Sequence, residues 1–218
     1  MENNLNKLNK NKRVENQGNR EVPEGFRFLS MQNAPIRRAV AESNQIPPEA
    51  LALLVDDELA DVRWRLANNP NTLPETLILL ADDKDENVRM HVAENPSTPP
   101  EVLTSLAKNG VWHECRSVAE NPSTPSETLV LLAKNWDGDV RALVARNPNT
   151  PTETLALLAE DEDADIRGSV AKNPNIPLEA LTVLAKDWRS GVRRSVAQNP
   201  NTPPEVLASL KELEELDN

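Results

Sequence analysis

Cysteine, glycine and aromatic side chains are all scarce in this 218-residue sequence, and each shortage excludes something. One cysteine, Cys115, cannot form an intramolecular disulfide framework and fits a reducing compartment. Six glycines without a glycine-rich loop leave no visible cradle for a nucleotide phosphate, and no G-x-S-x-G or H-E-x-x-H pattern occurs. Two Phe, four Trp and no Tyr are too few for a conventional core built on large aromatic rings. Leu, Val and Ala must fill the interior instead, which suits thin layers stacked in a row. No apolar run approaches the ~20 residues that span a bilayer, and the basic amino terminus lacks the apolar core of a signal peptide. The expectation is a cytoplasmic protein without a membrane segment. A net charge of -11 disfavours nucleic acid and anionic membranes as partners.

Proline, by contrast, is abundant and evenly spaced. Asn-Pro pairs stand at Asn69, Asn95, Asn121, Asn147, Asn173 and Asn199, every 26 residues. On that register Glu recurs at Glu49, Glu75, Glu101, Glu127, Glu153, Glu179 and Glu205, and Leu recurs from Leu51 to Leu207. A second Leu column runs from Leu54 to Leu210, and an Ala column from Ala67 to Ala197. Each unit reads as two short helices. The first opens at Thr-Pro-x-Glu, as in Thr98 to Glu101, with Thr as expected N-cap and Glu closing a capping box. Leu103, Leu106 and Ala107 then form a narrow apolar stripe. The second starts near Asp85, runs through Val88 and Arg89 to Val92 and Ala93, and is ended by Asn-Pro. Helices this short do not persist alone in water, so units must bury their stripes against neighbours. One helix of each pair could be 3₁₀, since short, proline-rich segments tolerate the tighter turn.

Tetratricopeptide and ankyrin units are longer, at about 34 and 33 residues, and the strand signature of ordinary leucine-rich repeats is absent. The pattern N-P-x-T-P-x-E-x-L-x-x-L-A followed by D-x-x-V-R-x-x-V-A, over residues 44 to 210, resembles the leucine-rich repeat variant family. A half unit, Ile36 to Ala41, extends the match towards the amino terminus. The resemblance implies an all-α, right-handed superhelical solenoid of about seven repeats, with alternating α and 3₁₀ helices and no sheet. It implies no reaction. A family member carries an iron–sulfur centre on amino-terminal cysteines that this chain lacks, so no cofactor is expected.

Three regions follow: a disordered, Asn-rich basic tail over 1–30, a helical repeat solenoid over 31–210, and an acidic cap over 211–218. The first twenty residues hold seven Asn and a local charge of +3. Phe26, Phe28 and Leu29 are expected to cover the first repeat. Columns fixed across units should hold the structure, and variable ones can carry recognition. The near-fixed column Arg37, Arg63, Arg89, Arg141, Arg167 and Arg193 is expected to bridge to Asp or Asn at the preceding turn or to carbonyls of the adjacent unit. The rival reading is a row of anion-binding guanidinium groups. The Asn before each Pro is expected to form a backbone-bonding ladder.

All four tryptophans fall in variable columns. Trp136 and Trp188 share a column with Glu58, Lys84, Gly110 and Glu162, so they should be exposed. Trp112 stands with Ala60, Glu86 and Gly138, and Trp64 with Met90, Arg116, Ala142 and Gly168. Exposed Trp is a favoured anchor at interfaces, whereas a Trp laid over a helix junction merely fills a gap. One unit is irregular: in Trp112-His113-Glu114-Cys115-Arg116, Glu114 takes the usual Val position and Cys115 the usual Arg position. Neighbours on a helix diverge by about 100°, so these side chains do not converge on a metal. The run predicts a local helix distortion. The candidate binding residues are therefore Trp136, Trp188, Trp112, Trp64 and His113, with no catalytic or metal-ligating residue. The expected function is a non-enzymatic scaffold that binds a protein or peptide along one face. The alternatives are an enzyme accessory centred on His113, Glu114 and Cys115, and weak nucleic-acid contact through the basic tail and the arginines.

Overall fold

The computed structural model describes residues 32–216, so the tail over 1–30, including Phe26, Phe28 and Leu29, and the last two residues of the cap lie outside the described residues. Within them the chain is all helical, with no strand. It divides into two compact units, one up to Ser123 and one from Thr124. The first unit holds α1 (Ala34–Glu42), α2 (Pro48–Leu51) running into a 3₁₀ turn (Ala52–Leu54), α3 (Ala60–Asn68), α4 (Pro74–Leu80), α5 (Glu86–Glu94), α6 (Pro100–Asn109) and α7 (Trp112–Glu120). The second holds α8 (Ser126–Leu132), α9 (Gly138–Arg146), α10 (Thr152–Leu158), α11 (Ala164–Lys172), α12 (Leu178–Leu184), α13 (Ser190–Gln198) and α14 (Pro204–Leu216). The last helix runs on to Leu216, into the segment from 211.

The alternation of α and 3₁₀ helices implied by the resemblance is replaced by pairs of α-helices. Among the described residues 3₁₀ geometry is confined to Ala52–Leu54. The seven-residue first helices keep i→i−4 bonds in their middle, as in Ala159 N–H to Leu155 O (2.9 Å). Their first and last turns also carry i→i−3 bonds, as in Thr154 N–H to Pro151 O and Asp161 N–H to Leu158 O.

Second helices pack side by side, α1 on α3, α3 on α5 and α5 on α7 in the first unit, and α9 on α11 and α11 on α13 in the second. Leu51, Leu77, Leu103, Leu129, Leu155 and Leu181 are fully buried, as is the Ala column up to Ala171. Each such Leu removes roughly 1.5–3 kcal/mol of apolar surface from water. Polar groups between layers are paired as the sequence suggested. Asn95 donates from Nδ2 to Ala67 O (2.7 Å) and Asn69 O (3.0 Å), while its Oδ1 accepts from Ser97 N–H (2.9 Å). Asn69, Asn121, Asn173 and Asn199 repeat the pattern.

Threonine behaves otherwise than expected. The first helices begin on Pro or Leu with no side-chain cap. The buried Thr before that residue instead donates its hydroxyl to the end of the preceding helix, Thr98 to Val92 O and Thr150 to Val144 O, both 2.5 Å. It satisfies carbonyls that a helix terminus leaves open. Three second helices do start on capping aspartates. Asp85, Asp137 and Asp163 accept from the amides two residues on.

Candidate functional site: turns held by arginine

The turn joining first to second helix is built twice over. Asp57, Asp83, Asn135, Asp161 and Asp187 each accept from the amide two residues later, at 2.9–3.0 Å, closing an Asx turn. The Arg of the following helix then reaches back to the turn's carbonyls. Arg141 Nη1 donates to Asn135 O (3.0 Å) and Trp136 O (3.1 Å), and Arg167 Nη1 to Asp161 O and Glu162 O.

The same guanidinium pairs with the Asp of the next turn, twenty residues on. Arg37 meets Asp57, Arg63 meets Asp83, Arg141 meets Asp161 and Arg167 meets Asp187, each through Nε and Nη2. The carboxylate was expected at the preceding turn; that turn contributes carbonyls, and the carboxylate comes from the unit after. A planar fork bridges the two because it offers donors on both sides. Each of these arginines is engaged by protein oxygens at Nε, Nη1 and Nη2, which leaves the anion-binding row without support.

The pairs have a pH signature. Burial pushes the carboxyls of Asp83, Asp161 and Asp187 up, but hydrogen bonds from the arginine and the Asx amide, with the guanidinium charge, bring each below the ordinary aspartate range. A carboxyl whose folded pKa is depressed stabilises the fold above its unfolded pKa, about 3.9, and loses that contribution as pH falls through the folded value. The urea midpoint should therefore be level above about pH 5 and drop below about pH 4. An Arg167→Gln/Asp187→Asn variant should drop less steeply. An identical acid slope in that variant would show that the pairs do not carry the effect.

Two of these turns display tryptophan. Trp136 and Trp188 are 81% and 70% exposed, on turns whose flanking residues are tied by Asn135 and Asp187. Arg189 lies 4.1 Å from the Trp188 ring centroid, stiffening it by a cation–π contact. Trp188 and Arg189 wall a groove of about 850 Å³ across α9, α11 and α13. Its lining includes Ala142 and Gly168, the small members of the variable column that holds Trp64 elsewhere. Its charged lining is mixed, with Asp139, Glu162, Asp163 and Asp165 against Arg146, Lys172 and Arg189.

The other candidates sit against their own neighbours. Trp64 is half-buried with its centroid 5.0 Å from His91 and Arg65 4.5 Å from its own, while Arg65 also pairs with Glu42. Trp112 is partly exposed, its centroid 3.6 Å from that of His113, with Arg116 on the ring.

The irregular unit shows relocation of a charge in place of the expected distortion; α7 is a regular nine-residue helix. Asn109 stands where a turn Asp would pair with Arg89. Glu114, 1% exposed, replaces it by accepting from Arg89 Nε at 2.7 Å and from Val111 N–H at 3.0 Å. Gly110 is required here, since a Cβ would lie 2.4 Å from Leu106 O and 2.2 Å from Glu114 Oε2. His113 stacks on Trp112 and Cys115 is buried beside Ala107 O, so the three neighbours share no centre. Among the described residues no three His, Cys, Asp or Glu side chains could hold a metal. No described helix is long and apolar enough to cross a membrane.

Stacked helix pairs with bonded inter-layer polar groups define a helical repeat scaffold. The leucine rich repeat variant family model matches residues 138–163, one 26-residue unit, bearing out the resemblance read from the repeat. A solved structure described as a leucine-rich repeat variant with a novel repetitive protein structural motif is similar with a TM-score of 0.62. It is 23% identical, covering 97% of this chain and 86% of that chain, a likeness of fold. An engineered protein of known structure covers 96% of this chain and 97% of its own at 16% identity; its TM-score of 0.33 carries no argument. Comparison with curated proteins gives no match.

Proposed function

We propose that this scaffold binds a protein or peptide through its tryptophan-bearing turns and the adjoining groove. The observation that supports this most is the pairing of exposure with rigidity. Trp136 and Trp188 project into solvent, yet the turns beneath them are fixed by Asx bonds and by the arginine that follows. A large apolar ring held in place loses little freedom on binding, which is what makes Trp an anchor. The fold leaves that column open to Glu58, Lys84 and Glu162, so packing does not demand Trp there. Trp64 beside His91, and separately Trp112 beside His113, add further aromatic surface in the first unit.

The test compares partners recovered from the native host by the unaltered protein and by Trp136→Ala/Trp188→Ala. The double variant should melt as the parent does and lose its partner, with at least a tenfold weaker affinity, about 1.4 kcal/mol or more. Unchanged recovery would remove these side chains from the interface. An unfolded variant would make them packing residues. The alternative of an enzyme accessory gains no support, since His113, Glu114 and Cys115 are each engaged separately.

A further inference from the structure

In the second unit the first helices carry an apolar row that the fold does not use. Leu131 on α8, Leu157 on α10 and Val183 on α12 occupy one column of the repeat and are 43%, 53% and 61% exposed. Val130 on α8 and Leu178 on α12 are also exposed. Single exposed aliphatics are ordinary, but an aligned row is not, and such patches mark contact surfaces. The stack does not require them, because the same column holds Ser105 and Ser209.

Between α10 and α12 this face sinks into a groove of about 390 Å³, within the usual range of about 300–1,000 Å³ for binding pockets. Ala156, Ala159, Ala180 and Val183 supply its apolar lining, and its only charged members are Glu153, Glu160 and Glu179. Glu153 and Glu179 belong to the column repeated seven times in the sequence. The capping that would have explained that column is absent, and Glu153, Glu160 and Glu179 are exposed, with no hydrogen bond or ion pair from their carboxylates among the described residues. At Glu153 and Glu179, in the first turns of α10 and α12, the fold draws only the weak attraction of the helix dipole.

We propose that the face formed by α8, α10 and α12 is a second docking surface, and that its occupant is a basic amphipathic segment of a partner protein. Aliphatic side chains of that segment cover Leu131, Leu157 and Val183. Its Lys or Arg stems lie along the alanine floor while their charged ends meet Glu153, Glu160 and Glu179. Charge selects this occupant over a second copy of the chain, which would bring its own carboxylates to the same groove. An anionic membrane is disfavoured for the same reason. The surface lies on the first helices, and its groove shares no lining residue with the groove beside Trp188, so the two proposals stand or fall separately.

Fluorescence anisotropy of the full chain with a labelled Leu/Lys amphipathic peptide, and with its Leu/Glu counterpart, tests it. The Leu/Lys peptide should bind and the Leu/Glu peptide should not. Leu157→Ser/Val183→Ser and Glu153→Gln/Glu179→Gln should each weaken binding tenfold or more, while Trp136→Ala/Trp188→Ala leaves it unchanged. The glutamine pair alters only exposed, unbonded groups, so it reports even if the serine pair melts early. The proposal is overturned by absence of binding, by equal binding of both peptides, or by glutamine-pair affinity equal to that of the parent. A folded serine pair that binds normally would reduce the effect to bulk charge. Sedimentation showing a dimer that the serine pair dissolves would make the occupant a second copy.

Discussion

Replacing Asn173 by alanine is expected to cost about 3–5 kcal/mol of folding stability. Its amide nitrogen serves Ala145 O and Asn147 O in the unit before, and its oxygen serves the Asn175 amide in its own turn. Alanine leaves these groups without their partner in a site from which water is shut out, at roughly 1–3 kcal/mol for each buried group left unbonded. The neighbouring Asn175 is the internal control. Its side chain is exposed and makes one bond, to Pro148 O at 2.7 Å, so Asn175→Ala should cost under about 1 kcal/mol. Urea unfolding monitored by helical circular dichroism reads both. Equal midpoints for the two variants would show that the ladder does not join the layers.

The second large effect concerns the irregular unit. Glu114→Val restores the residue type of its column but strips Arg89 of its carboxylate, and is expected to cost about 2–3 kcal/mol. Asn109→Asp should recover most of that loss, because an Asp there occupies the position that serves Arg37, Arg63, Arg141 and Arg167. Thermal denaturation of the single and double variants measures the recovery. If Asn109→Asp adds nothing to Glu114→Val, the register of arginine to the carboxylate twenty residues later is not what holds this turn.

That register was legible in the sequence in a form easily overlooked. Where Arg becomes Cys115, the position twenty residues on becomes Asn135, which keeps the Asx bond and drops the charge. Where the carboxylate is lost at Asn109, Glu114 appears. Reading the arginine column alone gave the right kind of partner and the wrong unit. The Asn ladder and the helix ends at Asn-Pro were readable because a buried amide before proline has few other uses. Threonine was misread because its hydroxyl both donates and accepts. The proline after it fits a capped start, whereas the structure uses the donor on the previous helix. The exposed row could not be seen from periodicity. Leu157 and Leu158 are adjacent and chemically identical, and only the stacking of neighbouring helices decides that one is solvated and the other 2% exposed. Trp136 and Trp188 were separable from the core because a column that accepts Glu and Lys must face water.

The division of labour between fixed and variable columns is most directly tested by unfolding Trp136→Ala/Trp188→Ala beside Asn173→Ala in the same urea series. The tryptophan pair should superimpose on the parent curve while the asparagine variant unfolds at markedly lower urea. A tryptophan pair that falls as far as Asn173→Ala would contradict the account.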